Sequence, residues 1–320
     1  MHILILGAAG MLGRKLTAAI VAGGLPATRL SLVDVVVPDL PAGVHPVPIT
    51  ARGVDLAAPG ASAALVADRP DVIFHLAAVV SAEAEADFDK GYAVNLDASR
   101  ALMEAIRAQP NYCPRLIFAS SLAVFGAPFP DPIPDDFHPT PLTSYGTQKA
   151  MVELLINDCS RRGVLDGLSL RLPTICIRPG APNRAASGFF SGILREPLAG
   201  LPAILPVRDS LRHWFASPRS ATGFFLRAAT LDTAAVGNRR ALNMPGLSAT
   251  VADQIEALRR IAGQKVVDLI TYVPDPAIAA IVETWAGNFN AARATALGFV
   301  ADADFDGIIR AYLADDAPGP

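Results

Sequence analysis

The first half of the chain alternates short apolar runs with stretches of helical periodicity. Runs rich in Val, Ile and Leu predict buried strands at residues 2–6, 30–35, 44–49, 72–76, 115–120 and 168–172. Between them, apolar residues recur at helical spacing at 11–22, 61–68, 92–108 and 145–161. Buried strands that alternate with helices indicate a parallel sheet covered on both faces. The pattern therefore predicts an α/β chain with a Rossmann-type, doubly wound sheet.

The pattern becomes looser after about residue 174. Prolines and glycines are frequent between 179 and 206, and the helices predicted in this half lie at 189–198, 218–230, 251–262, 276–282, 291–296 and 305–313. We therefore expect a nucleotide-binding domain at 1–173 that carries the catalytic residues. A smaller, mostly helical substrate lobe is expected at 174–320, and the chain can return to the sheet within this span. Ligands of open α/β sheets bind at the carboxyl ends of the strands, over which this lobe would close.

Composition narrows the class of protein. The chain has 320 residues, of which 52% are hydrophobic and 18% charged, so we expect a globular protein with a large core. Its net charge of −3 argues against nucleic acid or an anionic membrane as partner. Glycines interrupt the apolar stretches too early for a signal peptide and too often for a bilayer span. The three scattered cysteines favour neither a disulfide framework nor a metal site, and a cytoplasmic location is expected.

A glycine-rich turn follows the first strand directly, and a helix follows the turn. Gly7 permits the tight turn, Gly10 lets the backbone approach a pyrophosphate, and Gly13 lets the helix pack closely on the sheet. The helix, whose first residues are Met11 and Leu12, points the positive end of its dipole at the phosphates. This order of strand, turn and helix predicts a dinucleotide site.

Acidic residues after the next two strands refine that prediction. Asp34 ends the second strand about 20 residues past the turn, where a carboxylate binds both ribose hydroxyls and repels a 2′-phosphate, so NAD is favoured over NADP. The alternative for Asp34 is an ordinary surface aspartate. Asp55 and Leu56 are placed to bracket the adenine, and a capping role for Asp55 is the equal alternative.

Tyr145 and Lys149 lie four residues apart within a predicted helix, and residues at this spacing share a helix face. The ammonium of Lys149 can then lie beside the phenol of Tyr145 and stabilise its phenolate. We expect this to lower the pKa of Tyr145 from its ordinary value of about 10, as a general base requires. By itself the spacing is more often a solvated helix stripe, and the nucleotide signature is what favours catalysis.

With these residues in view, the chain resembles the extended short-chain dehydrogenase/reductase family, which includes sugar-nucleotide epimerases and dehydratases. The resemblance runs from residue 2 to about 180. Beyond the glycine spacing and the Tyr-Lys pair, it rests on His75-Leu-Ala-Ala78, on Asn95 in Ala-Val-Asn, and on Phe118-Ala-Ser-Ser121 through Gly126.

The resemblance implies NAD as cofactor and a set of roles. Ser121 and Tyr145 would hydrogen-bond the substrate oxygen, with Tyr145 taking its proton as hydride leaves, and Lys149 would hold the nicotinamide ribose. No proton transfer is assigned to His75. The family often pairs through the helices that correspond to 92–108 and 145–161, so a homodimer is expected. Further residues of the cofactor crevice would be Leu76, Ala77, Ala78, Asn95 and Pro173.

The second half departs from the sugar-nucleotide enzymes. Their Arg-Asp-aromatic segment ends in an aspartate seven residues after the arginine, whereas the segment that begins at Arg212 ends in Arg219 here. Their asparagine after the sixth strand is replaced by Thr174. Segments 178–187 and 214–219 instead resemble the substrate lobe of NAD-dependent dehydrogenases of four-carbon sugar acids. This implies oxidation of the hydroxyl next to a carboxylate to give a 2-keto acid.

A small sugar acid requires a cation for its carboxylate and polar groups for its hydroxyls. The planar fork of arginine binds a carboxylate through two parallel hydrogen bonds. The candidate substrate residues are Ser121, Arg178, Asn183, Ser187, Arg212, Trp214 and Arg219.

Two other functions remain open from the sequence. One is an NAD-dependent sugar-nucleotide epimerase or dehydratase, which recycles its cofactor. The other is a noncatalytic NAD-sensing protein on the same fold, although such proteins commonly lack the Tyr or Lys that both stand here.

Overall fold

The computed structural model describes residues 1–43, 45–180 and 186–317. The strands of this part of the chain are β1 (His2–Leu6), β2 (Arg29–Asp34), β3 (Ile49–Gly53), β4 (Val72–His75), β5 (Arg115–Ser121), β6 (Asp166–Leu172), β7 (Thr174–Ile175), β8 (Ala203–Leu205), β9 (Arg212–Ala216), β10 (Ala241–Asn243), β11 (Leu247–Thr250) and β12 (Ile270–Tyr272). The α-helices are α1 (Met11–Ala19), α2 (Ala61–Val66), α3 (Ser81–Ala86), α4 (Phe88–Gly91), α5 (Ala98–Arg107), α6 (Ser144–Arg161), α7 (Gly188–Leu198), α8 (Pro218–Thr230), α9 (Val251–Ala262), α10 (Gln264–Val267), α11 (Pro276–Val282), α12 (Ala292–Ala296) and α13 (Phe305–Asp315).

Seven parallel strands form the central sheet in the order β10-β6-β5-β4-β1-β2-β3. The chain starts in the middle at β1, runs outward to β3, and then returns to β4 on the other side of β1. The carboxyl ends of β1 and β4 therefore flank the point where the strand order reverses, which is where such sheets bind ligands. The predicted α/β fold with a doubly wound parallel sheet is confirmed.

Both faces of this sheet are covered because its strands are apolar on both sides. Ile3 and Ile5 belong to one core, which includes residues of α1 and α8. Leu4 and Leu6 belong to the opposite core, to which α2, α5 and α6 contribute. The alternation of side chains along β1 thus joins two helix layers to one sheet.

The second lobe has its own small sheets and its own core. Strands β11, β9 and β7 form one sheet, and β8 pairs with β12. Apolar residues of α7, β9, α9 and α13 form the core beneath them, with Phe190, Phe215 and Ile308 fully buried. The chain returns to the central sheet at β10, as the sequence had left open.

Most predicted elements agree with the structure, and one strand was misplaced. The third strand was predicted at 44–49 but lies at Ile49–Gly53. The predicted span contains Pro46 and Pro48, which cannot donate to a ladder, and position 44 lies outside the described residues. The prediction also missed α3 and α4, which follow β4, and the short strands of the second lobe.

Candidate active site

Three glycines of the first turn are fixed by close approaches of the backbone. Gly7 has φ +88°, and a Cβ there would lie 2.5 Å from the Ala77 amide nitrogen. A Cβ at Gly13 would collide with the Gly7 carbonyl oxygen. Gly10 precedes α1 in an extended conformation, and no described side chain caps that helix. The open helix N-terminus and the glycine cradle fit the pyrophosphate of a dinucleotide.

Asp34 lies beside this turn at the end of β2. One carboxylate oxygen accepts a hydrogen bond from the Ala9 amide at 2.9 Å, and the other accepts from Val35 at 2.7 Å. The turn thus holds the carboxylate at the carboxyl edge of the sheet, where a ribose is bound in this type of fold.

The residues expected at the adenine have a structural role as well. Asp55 is exposed and its Oδ1 accepts from the Ala57 amide at 2.9 Å, so it stabilises the turn after β3. Leu56 is half-buried against the core that includes α2. Asp55 does not cap a helix, since Gly60 precedes α2, and adenine contacts by Asp55 and Leu56 stay a prediction.

A cavity of about 360 Å³ opens at the carboxyl ends of the central strands. It brings together predicted residues from both halves of the chain: Met11, Leu12, Leu76, Ala78, Ser121, Tyr145, Lys149, Pro173, Arg178 and Ser187. The first lobe contributes the cofactor candidates, and the second contributes the arginine and Ser187. The backbone of Ala77 lies against Gly7, as described above.

The start of α6 positions Tyr145. Thr143 caps this helix, and its hydroxyl oxygen accepts from the Gly146 amide at 3.1 Å. A Cβ on Gly146 would collide with the Ala123 carbonyl oxygen, so glycine lets the helix approach the segment after β5. Because Ser121 ends β5, this approach brings Tyr145 and Ser121 to the same cavity.

Lys149 is almost completely buried one helical turn further on. Its Nζ donates to the Ala119 carbonyl oxygen at 2.9 Å and lies 5.5 Å from the centroid of the Tyr145 ring. Burial lowers the pKa of Lys149 to about 7, and the charge of Glu153 acts in the opposite direction. The amine is thus poised to change its charge near neutral pH.

The environment of Tyr145 differs from the expectation. Burial raises the pKa of Tyr145 above its ordinary value. A hydrogen bond with Ser121 and the charge of Arg178 act in the opposite direction, but burial has the larger effect. The expectation that Lys149 lowers this pKa was wrong for this structure, because the amine is directed at Ala119 and is itself easily neutralised. Ser121 and Arg178 are instead the groups that favour the phenolate.

A buried ion pair supports this part of the site from behind. Glu153 accepts from the Ser120 hydroxyl at 2.6 Å and from the Arg171 guanidinium at 2.8 Å. Because Ser120 lies on β5 and Arg171 on β6, the pair joins α6 to both strands that end at the cavity. Removal of either charge would leave the other buried and uncompensated.

Arg178 places a guanidinium in the wall of the cavity. Its Nη2 donates to Ser187 Oγ at 2.8 Å and its Nε to the Ile175 carbonyl oxygen at 3.1 Å. Burial lowers the pKa of Arg178, but a guanidinium stays charged in a protein. None of the ion pairs among the described residues involves it. An anionic ligand would therefore find a cation without a carboxylate partner in the described chain.

Three substrate candidates were wrong. Arg219 is exposed and forms an ion pair with Asp315 at 2.6 Å. Trp214 is buried and donates to the Met244 carbonyl oxygen at 3.2 Å, and Arg212 is exposed at the start of β9. Neither lines the cavity, because side chains alternate along a strand and it is His213 between them that faces the cavity. The candidate Asn183 lies outside the described residues.

Asn95 and His75 make buried structural hydrogen bonds and do not line the cavity. Asn95 was predicted to bind cofactor, but it is buried and does not line the cavity. Its amide oxygen accepts from Val79 at 2.8 Å, and its nitrogen donates to Gln148 at 2.7 Å, so it holds the loop after β4 against α6. His75 makes a 2.8 Å hydrogen bond with Ser99, and burial lowers its pKa to about 3.

Sequence reasoning missed a polar pair in the cavity wall. Thr174 Oγ1 and His213 Nε2 are 2.6 Å apart, and both residues line the cavity. Burial, followed by the charge of Arg178, lowers the pKa of His213 to about 3. Both positions carried a signal, since Thr174 replaces the family's asparagine and His213 follows the arginine where the family has an aspartate. Trp285, which also lines the cavity, gave no comparable signal.

The described residues contain no group of three or more His, Cys, Asp and Glu side chains that could hold a metal ion. Within the same residues, no helix has the length and hydropathy needed to cross a membrane.

The glycine cradle and strand-end aspartate at the carboxyl edge of the sheet, with the Tyr-Lys pair in the cavity that Met11 and Leu12 also line, define the protein as an NAD-dependent oxidoreductase on a Rossmann-type fold. The chain belongs to the NAD-dependent epimerase/dehydratase family of extended short-chain dehydrogenases/reductases, whose family model matches residues 3–217.

Its relatives match it over nearly the full length. D-erythronate dehydrogenase of Cupriavidus necator is 46% identical over 98% of this chain and 98% of its own. D-erythronate dehydrogenase of Haemophilus influenzae is 40% identical over 99% of this chain and 100% of its own. A crystal structure described as a nucleoside-diphosphate-sugar epimerase from Agrobacterium tumefaciens is 58% identical, with a TM-score of 0.96 over 98% of this chain and 94% of that one.

Proposed function

We propose that the protein is an NAD-dependent dehydrogenase of a small sugar acid, and that it oxidises D-erythronate to 2-keto-D-erythronate. The observation that carries the proposal is the guanidinium of Arg178, which lines the same cavity as Ser121 and Tyr145 and has no described carboxylate partner. The full-length similarity to two D-erythronate dehydrogenases supports the same substrate.

Four residues of the cavity have a role in this reaction. Arg178 binds the substrate carboxylate, which places the neighbouring hydroxyl at Ser121 and Tyr145. Tyr145, as phenolate, takes the hydroxyl proton while the hydrogen on the same carbon leaves as hydride. Lys149 lies beside Tyr145, where its amine can gain or lose a proton near neutral pH. It would also bind the nicotinamide ribose. Bound NAD supplies the hydride acceptor.

A sugar-nucleotide epimerase is the second candidate, because the Agrobacterium tumefaciens structure carries that description at 58% identity. Two features of the described chain disfavour it. Arg178 is the only arginine among the described residues that line the cavity, so this wall offers one guanidinium for the two phosphates of a nucleoside diphosphate. Arg219 is occupied by Asp315, and Arg212 is directed away from the cavity.

Net formation of NADH distinguishes the two candidate functions. With NAD and free D-erythronate, we expect continuous formation of NADH, whereas UDP-sugars give none. With NADP in place of NAD, we expect a lower rate because Asp34 repels a 2′-phosphate. Conversion of UDP-sugars without net NADH, together with inactivity on free aldonic acids, contradicts the proposal.

We also propose that the protein works as a homodimer in the cytoplasm. Leu154 is 67% exposed on α6, two residues from the buried Val152 and Ile156, so it points away from the sheet. The family resemblance implies pairing of α5 and α6 with the same helices of a second copy, and such pairing would cover Leu154. The three cysteines are free thiols, which is consistent with a reducing compartment.

A further inference from the structure

We propose that Thr174 and His213 form an uncharged pair that selects substrates with a hydroxyl beyond the reacting carbon. The inference rests on the proposed oxidation of a small sugar acid. It adds the residues that would recognise the part of the substrate beyond the reacting carbon. It is based on two observations, the placement of the pair in the cavity wall and its protonation.

The pair is held rigidly beside the carboxylate site. Thr174 begins β7 and His213 lies on β9, and these two strands are hydrogen-bonded to each other in parallel. The His213 ring stacks on Phe190 with centroids 5.1 Å apart and the planes 2° from parallel. Arg178 follows β7 by three residues and lines the same cavity. A substrate bound through its carboxylate therefore has this pair within the wall of the same cavity, beside the hydroxyl of Ser187.

The protonation of the pair determines what it can bind. The pKa of His213 of about 3 means that its ring is neutral at working pH, because burial and the charge of Arg178 both disfavour the imidazolium. If the Thr174 hydroxyl donates to Nε2, its oxygen can still accept a hydrogen bond. If Nε2 donates to Thr174, the threonine proton is free to be donated. In both tautomers the threonine hydroxyl can bind one further hydroxyl.

An uncharged hydroxyl is the substituent that suits this wall. A second carboxylate would have to leave water without a cation of its own, since Arg178 holds the first. An ammonium group would be repelled by Arg178. A substrate without the hydroxyl would displace water from the half-buried Thr174 hydroxyl and leave its second hydrogen bond unmade, since His213 supplies only the first. The pair therefore favours hydroxylated acids over deoxy acids, dicarboxylic acids and amino acids.

The test is a comparison of kcat/KM for D-erythronate with its two deoxy analogues, 2,4-dihydroxybutanoate and 2,3-dihydroxybutanoate, at saturating NAD. We expect the wild-type protein to prefer D-erythronate over at least one analogue by about 10-fold or more. Thr174→Val, which removes the hydroxyl at constant shape, should reduce that preference to about 3-fold or less. Thr174→Ser keeps a hydroxyl and should retain the preference.

Binding and stability measurements keep the outcomes distinct. NAD titration and thermal melting establish that each variant is folded, and Thr174→Ala carries the same prediction if the valine variant is unstable. A wild-type protein that does not discriminate among the three acids overturns the inference without any variant. A folded Thr174→Val protein that keeps the full preference also overturns it. Inactivity of the wild-type protein on all three acids would instead refute the proposed function itself.

Discussion

At the scale of single residues, neighbouring groups have opposite effects on the protonation of the Tyr145 phenol. Burial opposes the phenolate of Tyr145, and the Ser121 hydroxyl and the Arg178 charge favour it. The same arginine is the proposed carboxylate ligand, so substrate binding and base strength are linked. A carboxylate on Arg178 would offset part of the charge that favours the phenolate, which leaves Ser121 as the constant contribution.

Removal of the Ser121 hydroxyl should therefore change the pH dependence of the reaction. In the proposed reaction the phenolate is the active form of Tyr145, so we expect activity to rise as the pH passes the pKa of Tyr145. Ser121→Ala removes a contribution that lowers this pKa, and the rising limb of kcat against pH should move to higher pH. We expect kcat at neutral pH to fall by about 10- to 100-fold.

The matched control is Ser121→Thr, which keeps the hydroxyl and should keep the position of the limb. A Ser121→Ala protein whose kcat falls with no movement of the limb would contradict the pKa argument, because the serine would then act only on the substrate.

At the scale of elements, the sequence predicted those helices and strands whose apolar residues recur at a regular spacing. The strand at residues 2–6 and the helices at 218–230, 251–262 and 276–282 were predicted with the bounds that the structure has. Their apolar spacing is regular and their ends carry caps such as Ser217 and Thr250. Long, strongly patterned elements depend mainly on local sequence, which explains this agreement.

The short strands of the second lobe depend on tertiary partners instead. β7 has two residues and β10 has three, which is too short for any alternation to stand out. Because β9 was not predicted as a strand, the alternation that turns His213 toward the cavity could not be used. Arg212 and Trp214 were selected by residue type, and the residue between them was overlooked.

A substitution on α6 tests the proposed pairing of helices. Leu154→Glu places a charge at the centre of the expected four-helix interface while leaving the buried face of α6 unchanged. We expect the dimer to dissociate to monomers at micromolar concentration, as measured by analytical ultracentrifugation, because a buried unpaired carboxylate is costly. Leu313→Glu on α13, also at an exposed leucine, is the control and should remain dimeric. A wild-type protein that sediments as a monomer contradicts the dimer proposal.

At the scale of the whole molecule, the site exists only where the two halves of the chain meet. The glycine turn, Ser121, Tyr145 and Lys149 come from the first half, and Arg178, Ser187 and His213 come from the second. The second half is joined to the first by β10, which extends the central sheet, and by α8, which packs on its face. The residues proposed for the cofactor and those proposed for the substrate thereby lie in different parts of one cavity.

This division explains how much of the site the sequence could predict. The cofactor side follows motifs of fixed spacing, and Ser121, Tyr145 and Lys149, the residues predicted to be catalytic, lie together in the cavity. The substrate side depends on which side chains the lobe directs inward, and of the described arginines proposed for it only Arg178 lines the cavity. Spacing along the chain does not determine that direction when the strands are short.

The most direct test of the account is the rate of NADH formation from D-erythronate by Tyr145→Phe, measured beside its affinity for NAD. The substitution removes one hydroxyl from the cavity and leaves the ring, the glycine turn and Asp34 in place. We predict an NAD affinity within about 3-fold of the wild-type value and a kcat lower by at least about 100-fold. A variant that binds NAD and forms NADH at the wild-type rate would show that the phenol of Tyr145 is not the base.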